Sequence, residues 1–390
     1  MPVKHINVIA MCLVLLMSST KLFAKSLGES SEIPSVEALG EKLYFDPNLS
    51  HNRTQSCGTC HAPDTGFSDA RNNGVDGAVS LGDDGKSLGD RNAPTASYAS
   101  LIPLFHKNSK GQYVGGQFHD GRETDLKGQA GGPPLNPIEM GMPDKQTVVE
   151  RLQENQGYVT AFKQFYGEQV FSNVDGSYAA LAESIASFEK TDVFSPFDSK
   201  YDRYLKGEYQ LSPQEDLGMT LFFSQQFTNC NLCHQLKARP VVEHETFSNY
   251  QYHNIGVPEN SSVRAVNGVA EDFVDVGLLN NPQVNDATER GKFKTPTLRN
   301  VSVTGPYMHN GIFQDLRTVV LFYNKYNSRS AKRQINPETG QTWNVPEVDE
   351  NLSLEELKTG PALDDKRVDA LVAFMRLLTD QRYEHLINKK

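Results

Sequence analysis

The sequence predicts a mostly α-helical protein, with two units of similar plan in tandem joined by long irregular loops. Three observations carry that prediction. A short cysteine motif occurs twice, as Cys57-Gly58-Thr59-Cys60-His61 and as Cys230-Asn231-Leu232-Cys233-His234. Each copy follows a stretch with apolar residues at helical spacing, residues 39–45 and 217–223. Strict alternation of apolar and polar positions, the mark of a half-buried strand, is scarce.

Residues 1–24 read as a targeting segment. Lys4 and His5 precede an apolar run over residues 9–17, then come Ser18-Ser19-Thr20 and Leu22-Phe23-Ala24, the layout of a cleaved secretory signal ending after Ala24. The run is too short to stay in a bilayer as a spanning helix, and no later run of about 18 apolar residues follows. The expectation is an exported, periplasmic protein without a stable membrane span. Losing residues 1–24 removes Lys4 and Lys21 and no acid, so the formal charge moves from −10 to −12. An acidic chain does not invite nucleic acid.

After the signal, residues 25–204 and 205–390 are read as the two units. The entry stretch of the second opens with Ser212-Pro213-Gln214-Glu215, a capping box with proline at the first helical position. Each unit closes on a second amphipathic pattern: Leu181, Ile185 and Phe188 in residues 178–190, and Leu371, Phe374 and Leu378 in residues 368–378. Glycine and proline gather in connecting stretches such as residues 74–92 and 111–137, which reads as loop-rich.

The cysteine motif carries the chemistry. In C-x-x-C-H two thiols can add across the vinyl groups of one haem while the histidine binds the iron from the proximal side. A single copy could equally be a zinc half-site or a redox dithiol. Here Cys57, Cys60, Cys230 and Cys233 are all the cysteines left once Cys12 goes with the signal, and each pair has its own histidine, His61 or His234. Two covalently bound haem c groups follow, one per cytochrome c-like unit. No cysteine is left for a disulfide.

A second repeat decides what completes each iron. Asn92-Ala93-Pro94-Thr95 leads to Phe118-His119-Asp120-Gly121, and Lys294-Thr295-Pro296-Thr297 leads to Met308-His309-Asn310-Gly311, with residues 100–117 reading as an insertion. For the second haem the possible sixth ligands are Met308, His309, Tyr323, Met375 and the histidines at 244, 253 and 385. Tyr323 lies fourteen residues after His309 in a helical segment, and the same step from His119 reaches Pro133, which cannot ligate. Spacing alone also allows Met308, or a tyrosine that only packs. Around the first haem no histidine or methionine occurs in residues 62–105. Glu139 and Gln129 are the polar candidates for proton transfer there, or else loop residues facing water.

At these residues the chain resembles the bacterial di-haem cytochrome c peroxidase and MauG family over nearly the whole length after the signal. Arg91-Asn92-Ala93-Pro94-Thr95, Phe118-His119-Asp120-Gly121-Arg122, Gln129-Ala130, Glu139-Met140 and Pro306-Tyr307-Met308-His309 carry the resemblance alongside the two haem motifs. It implies that the first haem activates hydrogen peroxide, with Glu139 and Gln129 lining its distal pocket. It also implies a calcium ion between the units, held by Asn92 and the backbone of Thr304 and Pro306, hard oxygen donors that suit Ca²⁺. Tyr323 at the ligand position and the missing histidine in the first loop are similar to the MauG-like branch. A phenolate there lowers the potential relative to methionine. The family's tryptophan between the haems is replaced by His119, so charge sharing has to use His119, a tyrosine or a direct path.

The resulting expectation is an exported di-haem peroxidase of MauG-like type. It would use peroxide at a five-coordinate haem and oxidise a partner protein by long-range electron transfer. Two alternatives stand beside it: peroxide detoxification with a small cytochrome or cupredoxin as donor, and a non-catalytic di-haem electron carrier.

Overall fold

The computed structural model describes residues 32–387, so the expected signal lies outside the described residues. Thirteen α-helices are found among the described residues. In the first half they are α1 (Val36–Tyr44), α2 (Cys57–Cys60), α3 (Leu126–Ala130), α4 (Lys145–Gln153), α5 (Gln156–Tyr166) and α6 (Val174–Glu189). The rest are α7 (Lys200–Leu205), α8 (Pro213–Phe223), α9 (Cys230–Cys233), α10 (Ser261–Arg264), α11 (Leu316–Asn324), α12 (Leu354–Leu357) and α13 (Asp365–Arg376). Among the described residues the strands form two short antiparallel pairs, β1 (His106–Lys107) with β2 (Tyr113–Val114) and β3 (Tyr252–His253) with β4 (Phe293–Lys294).

The helix starts are written in the sequence. Ser35 caps α1 by accepting from the Ala38 amide at 3.2 Å. Ser212 and Glu215 form the expected reciprocal box at α8, with Pro213 at its first position. Such caps are worth about 1 kcal/mol each. One expectation changes: α8 is not one-sided. Met219, Leu221 and Phe222 are buried, and Leu217 and Phe223 pack half-buried against the same core. α8 lies between α13 and the haem motif α9, so it meets apolar neighbours on more than one face.

Two separate apolar cores result. One is built from residues between Ile33 and Phe194, the other from residues between Tyr201 and Leu378. Each is organised by one crossing, α1 on α6 and α8 on α13, and both crossings depend on a glycine. A Cβ on Gly40 would stand 1.9 Å from the Ser184 carbonyl oxygen and 2.9 Å from Phe188 Cβ. A Cβ on Gly218 would meet the Ala370 oxygen at 1.9 Å and Phe374 Cβ at 2.9 Å. The two copies share this contact down to the residue pairs.

Arg299 lies at the edge of the second core, where that core meets Tyr98 and Phe197. Its guanidinium is fully buried, pairs with Asp202 at 2.6 and 3.0 Å, and sits 4.9–5.7 Å from the rings of Tyr98, Phe197, Tyr201 and Phe247. Beside it the Tyr98 hydroxyl donates to Asp380 at 2.5 Å, and Asn300 Nδ2 donates to the other carboxylate oxygen at 2.8 Å.

Candidate active site

Both haem motifs form a single helical turn, with the cysteines at its ends and the histidine as C-cap. His61 Nδ1 lies 3.3 Å from the Phe67 carbonyl and His234 Nδ1 lies 3.0 Å from the Phe247 carbonyl. A carbonyl only accepts, so Nδ1 carries the proton and the Nε2 lone pair is left for a metal. Phe67 and Phe247 both adopt left-handed backbone, φ 54° and 55°, a conformation uncommon for a bulky residue. Threonines hold both strained turns, Thr95 by donating to the Gly66 carbonyl at 2.5 Å and Thr297 by donating to that of Thr246 at 2.7 Å. Burial lowers the pKa of His61 and pushes His234 down to about 4, so both imidazoles are neutral and competent as ligands. The four thiols are free and half-buried, which fits thioether attachment of haem at both sites.

A cavity of about 350 Å³ adjoins Cys230, Cys233 and His234, and Tyr323, Leu371 and Met375 also line it. Tyr323 is brought there by α11, capped by Asp315 and packed into the second core through Leu316, Val320 and Leu321. Burial holds its phenol protonated far above the ordinary range, so a cation bound at the oxygen would be needed to release that proton. Of the other expected candidates, Met308, His309 and His253 also line the cavity. His309 is committed to a stack on Phe293, centroids 3.6 Å apart. His244 packs on the Phe197 ring at 4.7 Å, and His385 sits in the terminal turn Gln381–Leu386.

In the first unit Pro133 opens a short turn, Pro133–Leu135, between α3 and Met140. Glu139 follows that turn, half-buried, and accepts from Asn136 Nδ2 at 2.8 Å. Burial lifts its carboxyl above the usual range, and its charge acts weakly on Cys57 and Cys60. Gln129, on α3, is half-buried and its carbonyl accepts from Gly132 at 2.9 Å. No hydrogen bond joins its side chain to Glu139.

His119 borders the cavity of the second site together with Asn92, Thr304 and Pro306. Its Nε2 lies 2.9 Å from the Asn92 carbonyl, and burial presses it down to about 4, so it is a neutral ring with a fixed tautomer. Asn92 Nδ2 donates to the Ala78 carbonyl at 3.0 Å, which leaves its amide oxygen free of protein donors. Among the described residues no group of three or more His, Cys, Asp or Glu could hold a metal. Asn92 Oδ1 is a neutral oxygen on offer to a hard cation.

Sequence reasoning passed over three charged residues near these sites. Arg91 pairs with Asp120 at 2.7 Å and with Asp275 at 2.6 Å. Glu189, at the end of α6, is buried with one carboxylate oxygen unpartnered, and burial raises it to about 8. Lys294 is buried, and burial pulls its ammonium down to about 7 against the opposing pull of Asp120. The sequence signal for Lys294 was its place in the repeat, opposite Asn92.

Two thioether-ready motifs, each with an oriented histidine, fit a di-haem c-type oxidoreductase. The comparisons agree. A family model described as di-haem cytochrome c peroxidase matches residues 34–210. The methylamine utilization protein MauG of Paracoccus denitrificans is 53% identical over 355 residues, covering 91% of each chain. Cytochrome c peroxidase Ccp of Escherichia coli is 32% identical over 70% of this chain and 50% of its own. The crystal structure of the diheme peroxidase BthA from Burkholderia thailandensis overlays with a TM-score of 0.78 at 30% identity, covering 90% of this chain and 87% of the other. The chain belongs to the di-haem cytochrome c peroxidase and MauG family. It is an enzyme, an oxidoreductase of the haem peroxidase class with two haems.

Proposed function

We propose that the protein is a peroxidase of the MauG-like kind, exported to the periplasm, that oxidises a partner protein with hydrogen peroxide. The observation that carries this reading is the asymmetry of the two sites. Tyr323 faces the cavity shared with His234, while the matching place in the first unit holds Pro133, which offers no donor.

When bound, the haems supply the iron at which peroxide is cleaved and the redox capacity to hold the oxidising equivalents. The chain's own residues do the rest. The Phe67 and Phe247 carbonyls hold the Nδ1–H of His61 and His234, so each Nε2 lone pair would be the one to bind haem iron. Glu139, lifted in pKa and steadied by Asn136, takes the proton from the attacking oxygen and returns it to the leaving one. Gln129 orients the peroxide. The Tyr323 oxygen, lining the cavity beside His234, would exclude small molecules from a haem held there and leave it to charge transfer. His119 stands where charge crosses between the units, and the oxygens of Asn92, Thr304 and Pro306 hold one calcium ion there. The expected division at residues 204 and 205 runs through α7, whose Tyr201 packs in the second core, so the division drawn from the two cores falls before α7. Among the described residues no helix is long and apolar enough to cross a membrane.

The test is a low-temperature EPR spectrum of the ferric holoprotein and of Tyr323→Phe. One high-spin and one low-spin signal are expected, with only the low-spin signal moved by the substitution. Two low-spin signals indifferent to Tyr323 would overturn the assignment.

A further inference from the structure

The two copies of the second repeat bind each other reciprocally. The Asn92 amide donates to the His309 carbonyl at 2.7 Å, and the Lys294 amide donates to the His119 carbonyl at 2.9 Å. Their backbones match as well. Phe118 and Met308 have φ 63° and 71°, Gly121 and Gly311 have 66° and 65°, and bridges join Gln117 to Glu123 and Tyr307 to Phe313. This exchange puts Lys294 in the second copy where Asn92 stands in the first. By the same match Gly116 corresponds to Pro306, each three residues before its histidine.

Lys294 Nζ donates to the carbonyl of Gly116. The side chain that mirrors Asn92 therefore reaches the carbonyl that mirrors Pro306, and it brings a positive charge. A buried ammonium needs acceptors and a counter-charge. Gly116 supplies an acceptor, and the opposing charge acting on Lys294 is that of Asp120, whose carboxylate is already paired with Arg91 and Arg122.

We infer that the Lys294 ammonium is a built-in cation occupying the second-copy counterpart of the calcium site, so that the chain takes one divalent ion instead of two. The inference rests on the calcium reading proposed above. An ancestral pair of equivalent cation sites would have diverged by one side chain, with the covalently supplied charge fixed in place and the exchangeable one retained beside Asn92.

The experiment counts calcium bound per chain. Chelator-treated holoprotein is dialysed against Ca²⁺ at pH 6, where Lys294 holds its proton, and folding is checked by circular dichroism and the Soret band. The expected counts are one for the wild type, two for Lys294→Asn and none for Asn92→Lys. One ion in both wild type and a folded Lys294→Asn would overturn the inference and leave the calcium reading standing. No ion in the wild type would overturn both. If Lys294→Asn does not fold, Asn92→Lys decides. It should melt above Asn92→Ala in chelator, and a melt below Asn92→Ala would overturn the proposal.

Discussion

Two carboxyls near the first haem motif are lifted by burial, and they separate chemistry from stability. Glu139 has a hydrogen-bond donor in Asn136, whereas Glu189 has a buried oxygen with no partner. Replacing Glu139 with Gln removes a proton carrier and should slow peroxide consumption by about 10²-fold or more, since positioned acid/base groups contribute on that scale. Glu189→Gln should act on stability instead. Between the ordinary carboxylate range and about 8 the folded state keeps the Glu189 proton that the unfolded state has lost. Stability tied to this group is therefore full at low pH and falls as pH rises toward 8. Melting temperatures measured from pH 5 to 8 should decline in the wild type and flatten in Glu189→Gln, with peroxide rates unchanged. An unchanged slope in Glu189→Gln would show that the lone oxygen is satisfied in the holoprotein.

The crossings of α1 on α6 and α8 on α13 show which parts of the elements were legible beforehand. Helical spacing and the Ser212 box placed the entry helices, and the paired Leu-Gly steps at residues 39–40 and 217–218 signalled the repeat. What spacing could not show was why glycine stands there. That reason lies across the interface, in the backbone oxygens of Ser184 and Ala370. The same limit explains Lys294 and Glu189, whose significance comes from partners distant in sequence, and the two-sided burial of α8. Gly40→Ala and Gly218→Ala each force a methyl into a carbonyl at 1.9 Å, so helix separation must increase. A cost of about 1–3 kcal/mol each is expected, as for other overpacked contacts. Gly176, inside α6 with its nearest neighbours at 3.6 Å or more, is the control. There Gly→Ala should stabilise by about 0.5–1 kcal/mol through helix propensity. Denaturant titrations of the three variants give both signs, and a neutral Gly218→Ala would mean that the crossing yields without cost.

At the scale of the whole molecule, Arg299 is one of several buried cations at the junction of the two halves, beside Arg91 between Asp120 and Asp275 and Lys294 on the Gly116 carbonyl. Arg299 lies among Tyr98 and Phe197 from before α7 and Tyr201 and Phe247 from after its start, and its charge is met by Asp202. Opposing charges hold Asp202 below the usual carboxylate range despite its burial, so the pair is ionised when folded. Removing one member of such a pair strands the other without solvent, which costs about 3–5 kcal/mol. Arg299→Leu should therefore lose about that much by denaturant titration. It should also broaden or split the calorimetric melt, because one buried tie between the halves is gone while each core keeps its own helix crossing. Arg299→Leu combined with Asp202→Leu removes the stranded charge and should recover part of the lost stability while the melt stays broadened or split. A double variant as unstable as the single one would show that the cost comes from lost packing against the four rings. A single, sharp transition in both variants would show that the cores are coupled elsewhere, with the Tyr98–Asp380–Asn300 hydrogen bonds the next place to cut.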